Sequence, residues 1–125
     1  MSRTFVVPVV GMHFRPPAKG IISVLPMGQA LRLVAEPDNE YDPNAIKVLV
    51  GVDAIPPEAH EALGEAVAAY GFSLEDILGK AEWQLGYVAR DYAAALVRPL
   101  ADASGYTATL QINGAGKYSA RVTLT

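Results

Sequence analysis

"EPDNEYDPNAIKV", residues 36–48, joins a polar loop directly to a strand-forming run. Side-chain oxygens fall at alternating positions (Asp38, Glu40, Asp42, Asn44), with Tyr41 among them and Pro37 and Pro43 stiffening the backbone. From Ile46 the pattern alternates, so that Ile46, Val48 and Val50 share one face of a strand. A calcium loop beginning at Asp38 would need glycine at its sixth position and a bidentate glutamate at its twelfth. Pro43 and Leu49 stand there, so that chemistry is excluded. Two readings remain. Asp and Asn side chains accept bonds from amides about two residues ahead, which would make Asp38–Asn39 and Asp42–Pro43–Asn44 successive turns. Alternatively the loop grips a ligand's hydroxyl and ring, which would give Tyr41 a purpose that a turn does not.

Upstream of this loop, "RTFVVPVVGM" reads as a strand, with Pro8 suggesting an edge or bulge. "HFRPPAKG" reads as a loop held extended by Pro16–Pro17 and ended by Gly20, followed by "IISVL" as a second strand and "PMGQ" as a turn. In "ALRLVAE", Leu31 and Leu33 take one face while Arg32 and Val34 take the other. Downstream, from Pro56, the period becomes helical: Leu63, Val67 and Tyr70 recur, supported by small alanines, until Gly71. "SLEDILGK" reads as a short helix with Ser73 as cap and Asp76 three residues on. "EWQLGYVA" returns to strand, and "RDYAAALVRPLADAS" to helix, with Tyr92, Leu96 and Leu100 spaced four apart. Pro99 lacks a backbone donor, so a kink or weak hydrogen bonding is expected over residues 95–99. "YTATLQI", "NGAG" and "KYSARVTLT" form a hairpin with Tyr106, Ala108, Leu110 and Ile112 on one side. The expected fold is mainly β within the α+β class. It is a small OB-like barrel of about six strands with two to three helices, closed so that few sheet edges stay exposed.

At 125 residues, half of them apolar, the chain forms one globular domain over residues 1–125. It has no cysteine and only His13 and His60, which leaves no thiolate or histidine-rich metal site. No metal or other cofactor is expected. No apolar run reaches the ~20 residues a membrane span needs, and the N-terminus lacks a signal-peptide pattern, so a soluble cytoplasmic protein without a membrane partner is expected. The net charge of −3 conceals a division. Residues 53–82 hold seven acidic side chains against Lys80 alone, while the remainder is mildly basic. That segment reads as a helical insertion at about 52–81, covering one end of the barrel or meeting a basic partner.

The central run, with "VVGMHF" before it and "LGYVARDYAAALVRPLAD" after it, resembles the HIRAN domain. That family carries a glycine-aromatic segment near its start, a central Asn-x-Tyr-Asp-x-Asn-Ala-Ile run, and a Gly-Tyr/His-basic segment leading into a helix. The resemblance spans residues 9–102, with the central run its specific part. It implies a barrel related to the OB fold that binds the 3′ end of single-stranded DNA. Asp42 would accept a hydrogen bond from the terminal 3′-hydroxyl and repel a 3′-phosphate. Tyr41 would pack on the terminal nucleotide, and Phe14 would stack where the family usually has tyrosine. His13 stands where arginine is common, for a phosphate or cation–π contact. Asn39 would make a polar loop contact, while Asp38 departs from a neutral asparagine. Tyr87 and Arg90 would contact the DNA backbone, with Arg90 as a fork on phosphate.

The resemblance implies a non-enzymatic module acting in DNA repair or stalled-fork processing. The chain has no G-x-x-x-x-G-K-[ST] phosphate loop, so a motor would belong to a partner: a helicase, a nuclease or another DNA-processing protein. The alternative is an interaction or oligomerisation domain that kept the barrel without DNA binding, a reading prompted by the acidic segment and Asp38. An enzyme is the weakest option, since no nucleophile–base pairing is visible.

Overall fold

In the computed structural model, which describes residues 2–125, the alternating run after the loop forms β3 (Ile46–Gly51). Ile46, Val48 and Val50 are fully buried, as their spacing predicts. β3 pairs with β2 (Arg32–Ala35) in antiparallel register from Ala35↔Ile46 to Arg32↔Leu49. Residues 36–45 are therefore the connection of a hairpin, and its ends are tied by the Glu36 amide donating to the Ala45 carbonyl at 2.8 Å.

The other strands are β1 (Arg3–Val10), β4 (Glu82–Val88), β5 (Tyr106–Ile112) and β6 (Tyr118–Leu124). All pairings are antiparallel, in the order β2-β3-β4-β1-β6-β5. The two ends of this sheet meet. Gly28 N–H donates to Leu110 O at 2.7 Å, Leu110 N–H to Gln29 O at 2.9 Å, and Leu31 N–H to Ala108 O at 2.8 Å. Further along the seam a side chain replaces the ladder: the Tyr106 hydroxyl accepts from Leu33 N–H at 2.9 Å and lies 3.2 Å from Leu33 O. The sheet thus curls into a small OB-like barrel, the expected fold class.

Between Val48 and Leu49 the register of β3 on β4 shifts. The extra residue in β4 lets both Leu85 and Val88 enter the core, three positions apart, while Tyr87 between them stays half-exposed. A β-bulge re-aims side chains in this way. Gly86 sits at the crowded point, where an added Cβ would stand 2.2 Å from the Val10 carbonyl oxygen. Only a glycine permits β1 to lie so close across β4.

Four α-helices decorate the barrel, more than the two to three expected: α1 (Ala18–Val24), α2 (His60–Ala68), α3 (Leu74–Leu78) and α4 (Arg90–Asp102). The additional one is α1, where "IISVL" was expected to be a strand. Ala18, Ile21, Ile22 and Leu25 are all buried, and their spacing of three and four is the stripe of a helix that ends at Leu25. The Pro16–Pro17 pair is not extended either; it turns the chain into α1, with Pro17 at the N-cap. Gly20 does not end a loop but lies inside α1, where a Cβ would meet the Ala66 carbonyl oxygen of α2 at 2.9 Å. The two helices touch backbone to backbone there.

α3 and α4 lie where the periodicity puts them, and α2 buries Leu63 and Val67, but Tyr70 falls past its end and is exposed. Ser73 and Asp76 exchange reciprocal capping bonds on α3, and Gly71 adopts φ +82° after α2. α4 runs through Pro99 to Asp102 and buries Ala93 and Leu96. Tyr92 does not join that stripe: it is 49% exposed, and Ala93 occupies the inward position instead. Among the described residues no helix is long and apolar enough to cross a membrane.

Candidate functional site

Asn39 organises the hairpin loop. Its Oδ1 accepts from the amides of Tyr41 at 2.9 Å and Asp42 at 3.0 Å, so one side chain fixes the next turn. Asp42 repeats the device through its Oδ1, which accepts from the Asn44 amide at 2.9 Å. The turn reading is therefore correct for Asn39 and Asp42, while Asp38 is exposed and makes no such bond. With its bonds spent on the loop itself, Asn39 supports the site more than it offers itself to a ligand. Asp42 differs, since its other oxygen has no protein donor among the described residues.

The fixed loop forms one wall of a cavity of about 520 Å³. Asn39, Tyr41 and Asp42 line it from the loop, Tyr87 from the bulged end of β4, Arg90 from the first residue of α4, and Arg15 from the turn after β1. Five of the seven residues singled out in the sequence thus meet in one place. The Tyr41 ring is 81% exposed, so it is not a core residue. Phe14 and His13 are not in this lining. Phe14 stands 79% exposed with its ring centroid 4.2 Å from that of His13, and His13 lines a neighbouring cavity.

Two residues absent from the sequence reading hold the site together. The Arg15 guanidinium lies 5.2 Å over the Tyr87 ring and donates to the Tyr87 hydroxyl at 3.4 Å. That hydroxyl donates in turn to Glu36 Oε1 at 2.7 Å, and Asn39 Nδ2 donates to the same oxygen at 3.2 Å. Lys47 forms an ion pair with Glu36, its Nζ 3.4 Å from Oε2. The Tyr87 hydroxyl, with help from Asn39 and Lys47, holds the Glu36 carboxyl below its ordinary pKa despite some opposition from burial. No residue of 52–81 lines the cavity, and α2 of that segment packs on α1.

Trp83 donates its indole N–H to the Ile77 carbonyl at 2.8 Å and meets Phe72 edge-on. It is a partly buried residue packed against the core.

Chemically the site offers two aromatic faces, two guanidinium groups and two carboxylates, Glu40 and Asp42, with oxygens open to a donor. Those groups suit a small anionic ligand that carries a ring and a free hydroxyl. A crystal structure of a protein from Lactobacillus plantarum is similar to this chain with a TM-score of 0.60, over 99% of this chain and 97% of that one. At 17% identity the likeness is one of fold alone. No curated protein matches the sequence. A family model described as the HIRAN domain matches residues 2–124.

Proposed function

The chain belongs to the HIRAN domain family, and from that premise we propose that it is a non-enzymatic module binding the 3′-hydroxyl end of single-stranded DNA. The observation that carries the reading is the meeting of Tyr41, Asp42, Tyr87 and Arg90 around one cavity, with an oxygen of Asp42 lacking a protein donor among the described residues. The terminal sugar hydroxyl donates to that oxygen, the terminal base packs on Tyr41, and Arg90 takes the phosphodiester on the 5′ side. Arg15 joins this set through its place over Tyr87. His13 and Phe14 belong to the DNA-binding surface outside the end pocket. Asn39 acts by shaping the loop. A terminal phosphate would meet the Asp42 carboxylate at close range, which makes the site selective by repulsion as well as attraction.

On this reading residues 1–125 are a single HIRAN-like domain, and the acidic segment at about 52–81 is an insertion that leaves the cleft open. The module serves DNA repair or stalled-fork processing in the cytoplasm, delivering strand ends to a partner helicase, nuclease or similar enzyme.

Fluorescence anisotropy with paired oligonucleotides, one ending in a 3′-hydroxyl and one in a 3′-phosphate, tests the proposal. Tighter binding of the hydroxyl end is expected, and equal affinity for the two removes the reading. Asp42→Asn is the informative variant, because it keeps an oxygen for the Asn44 amide while removing the charge. It should weaken hydroxyl-end binding by about 1.5–3 kcal/mol, the range for a hydrogen bond to a charged group. It should also narrow the gap to the phosphate end.

A further inference from the structure

A second cavity, about 640 Å³, opens beside the first. Val10 at the end of β1 lines both. The rest of the second lining comes from the end of β1, from the turn after it, from α1 and from the β5–β6 hairpin, and includes His13, Lys19, Asn113, Lys117 and Tyr118. Its charge differs in kind. The first cavity sets Arg15 and Arg90 against Glu40 and Asp42, whereas the second holds Lys19 and Lys117 with no carboxylate. Neither lysine is ion-paired among the described residues. The hairpin fixes the position of Lys117: Asn113 Oδ1 accepts from the amides of Ala115 at 2.9 Å and Lys117 at 3.0 Å.

Phe14 lies between the two cavities in the chain. Its neighbour Arg15 lines the first and its neighbour His13 lines the second, while its own ring, paired with His13, is exposed. We infer that the second cavity is a track for the nucleotides on the 5′ side of the bound end, with Lys19 and Lys117 on their phosphodiesters and Phe14 stacking a base at the crossing. The inference rests on the proposed end recognition for its polarity. The charge order supports it: the 3′ terminus is a neutral hydroxyl, and each step away from it adds one phosphate charge, just as the surface turns from balanced to basic. Stacking at Phe14 is indifferent to base identity, because every base has a π face.

The experiment compares a dinucleotide with an octanucleotide, both ending in a 3′-hydroxyl, at several salt concentrations and with wild type and a Lys19→Ala/Lys117→Ala double variant. Both lysine side chains are exposed, and a matching thermal melt checks that the variant folds. The octanucleotide should bind wild type more tightly and with a steeper dependence of log K on log salt. The double variant should lower that slope by about 1.4, two phosphates at ~0.7 each, and leave dinucleotide binding unchanged. A slope unaltered by the double variant, or no gain from length in wild type, overturns the track. If the lysines matter but the 3′-hydroxyl and 3′-phosphate ends bind alike, the track stands and end recognition falls. If the ends are discriminated and the lysines are silent, the reverse holds. Absence of any binding by wild type removes both.

Discussion

Glu36 stands at the junction of the loop and the cleft, and its carboxylate accepts from Tyr87 and Asn39 while facing Lys47. These partners favour the charged form, so the folded pKa is depressed. The stabilisation is complete above the ordinary glutamate value of about 4.3 and is lost as pH falls through the lower folded value. Glu36→Gln should cost on the order of 1 kcal/mol at neutral pH, once solvent screening of a part-exposed group is allowed for. The difference between thermal melts of the two proteins should shrink as pH falls below the ordinary glutamate value; a constant difference would mean that the charge is irrelevant. Asn39, Tyr41 and Asp42 were legible as a unit because their bonds run two or three positions along the chain. Glu36 and Arg15 were not, since both act through Tyr87, fifty-one and seventy-two positions away. A lone arginine or glutamate beside prolines gives no local sign of such a partner.

Among the elements, β4 decides where the site opens. Its bulge sends Leu85 and Val88 inward and leaves Tyr87 to the cleft, and Gly86 gives β1 room to cross. A methyl group at Gly86 would press on backbone rather than on a yielding side chain. Gly86→Ala should therefore destabilise by at least about 3 kcal/mol, the upper end for overpacking. Urea titration checks it: a loss under ~1 kcal/mol would show that β1 can retreat cheaply. The Gly-Tyr pair was visible in the sequence, but the reason for the glycine was not, because the obstructing carbonyl belongs to Val10. The misreading of "IISVL" has a different cause. Two adjacent isoleucines and a valine favour a strand by local preference. The wider spacing from Ala18 to Leu25, together with a helix partner in α2, outweighs that preference.

At the level of the whole molecule, the barrel closes through a short backbone ladder that a phenol continues at Leu33. Six of the seven segments read as strands, and the β5–β6 hairpin, were legible from alternation, whereas this seam joins Leu33 to Tyr106 across seventy-three positions and leaves no mark in either segment. Tyr106→Phe leaves the Leu33 amide and carbonyl without that partner, and should cost about 1–3 kcal/mol. Faster hydrogen exchange at Leu33 than at β3 amides would locate the loss at the seam; unchanged exchange there would mean that the phenol does not protect that amide. The placement of the acidic segment was equally hidden, since Gly20 and Ala66 meet only after both helices exist. The hairpin loop, finally, is held in shape by bonds from its own side chains to its own amides. A cradle already in its working form has little to gain by tightening and nothing to unfold on departure. On the proposed reading, such a receptor catches strand ends quickly and gives them up as readily, which suits passing them on rather than guarding them.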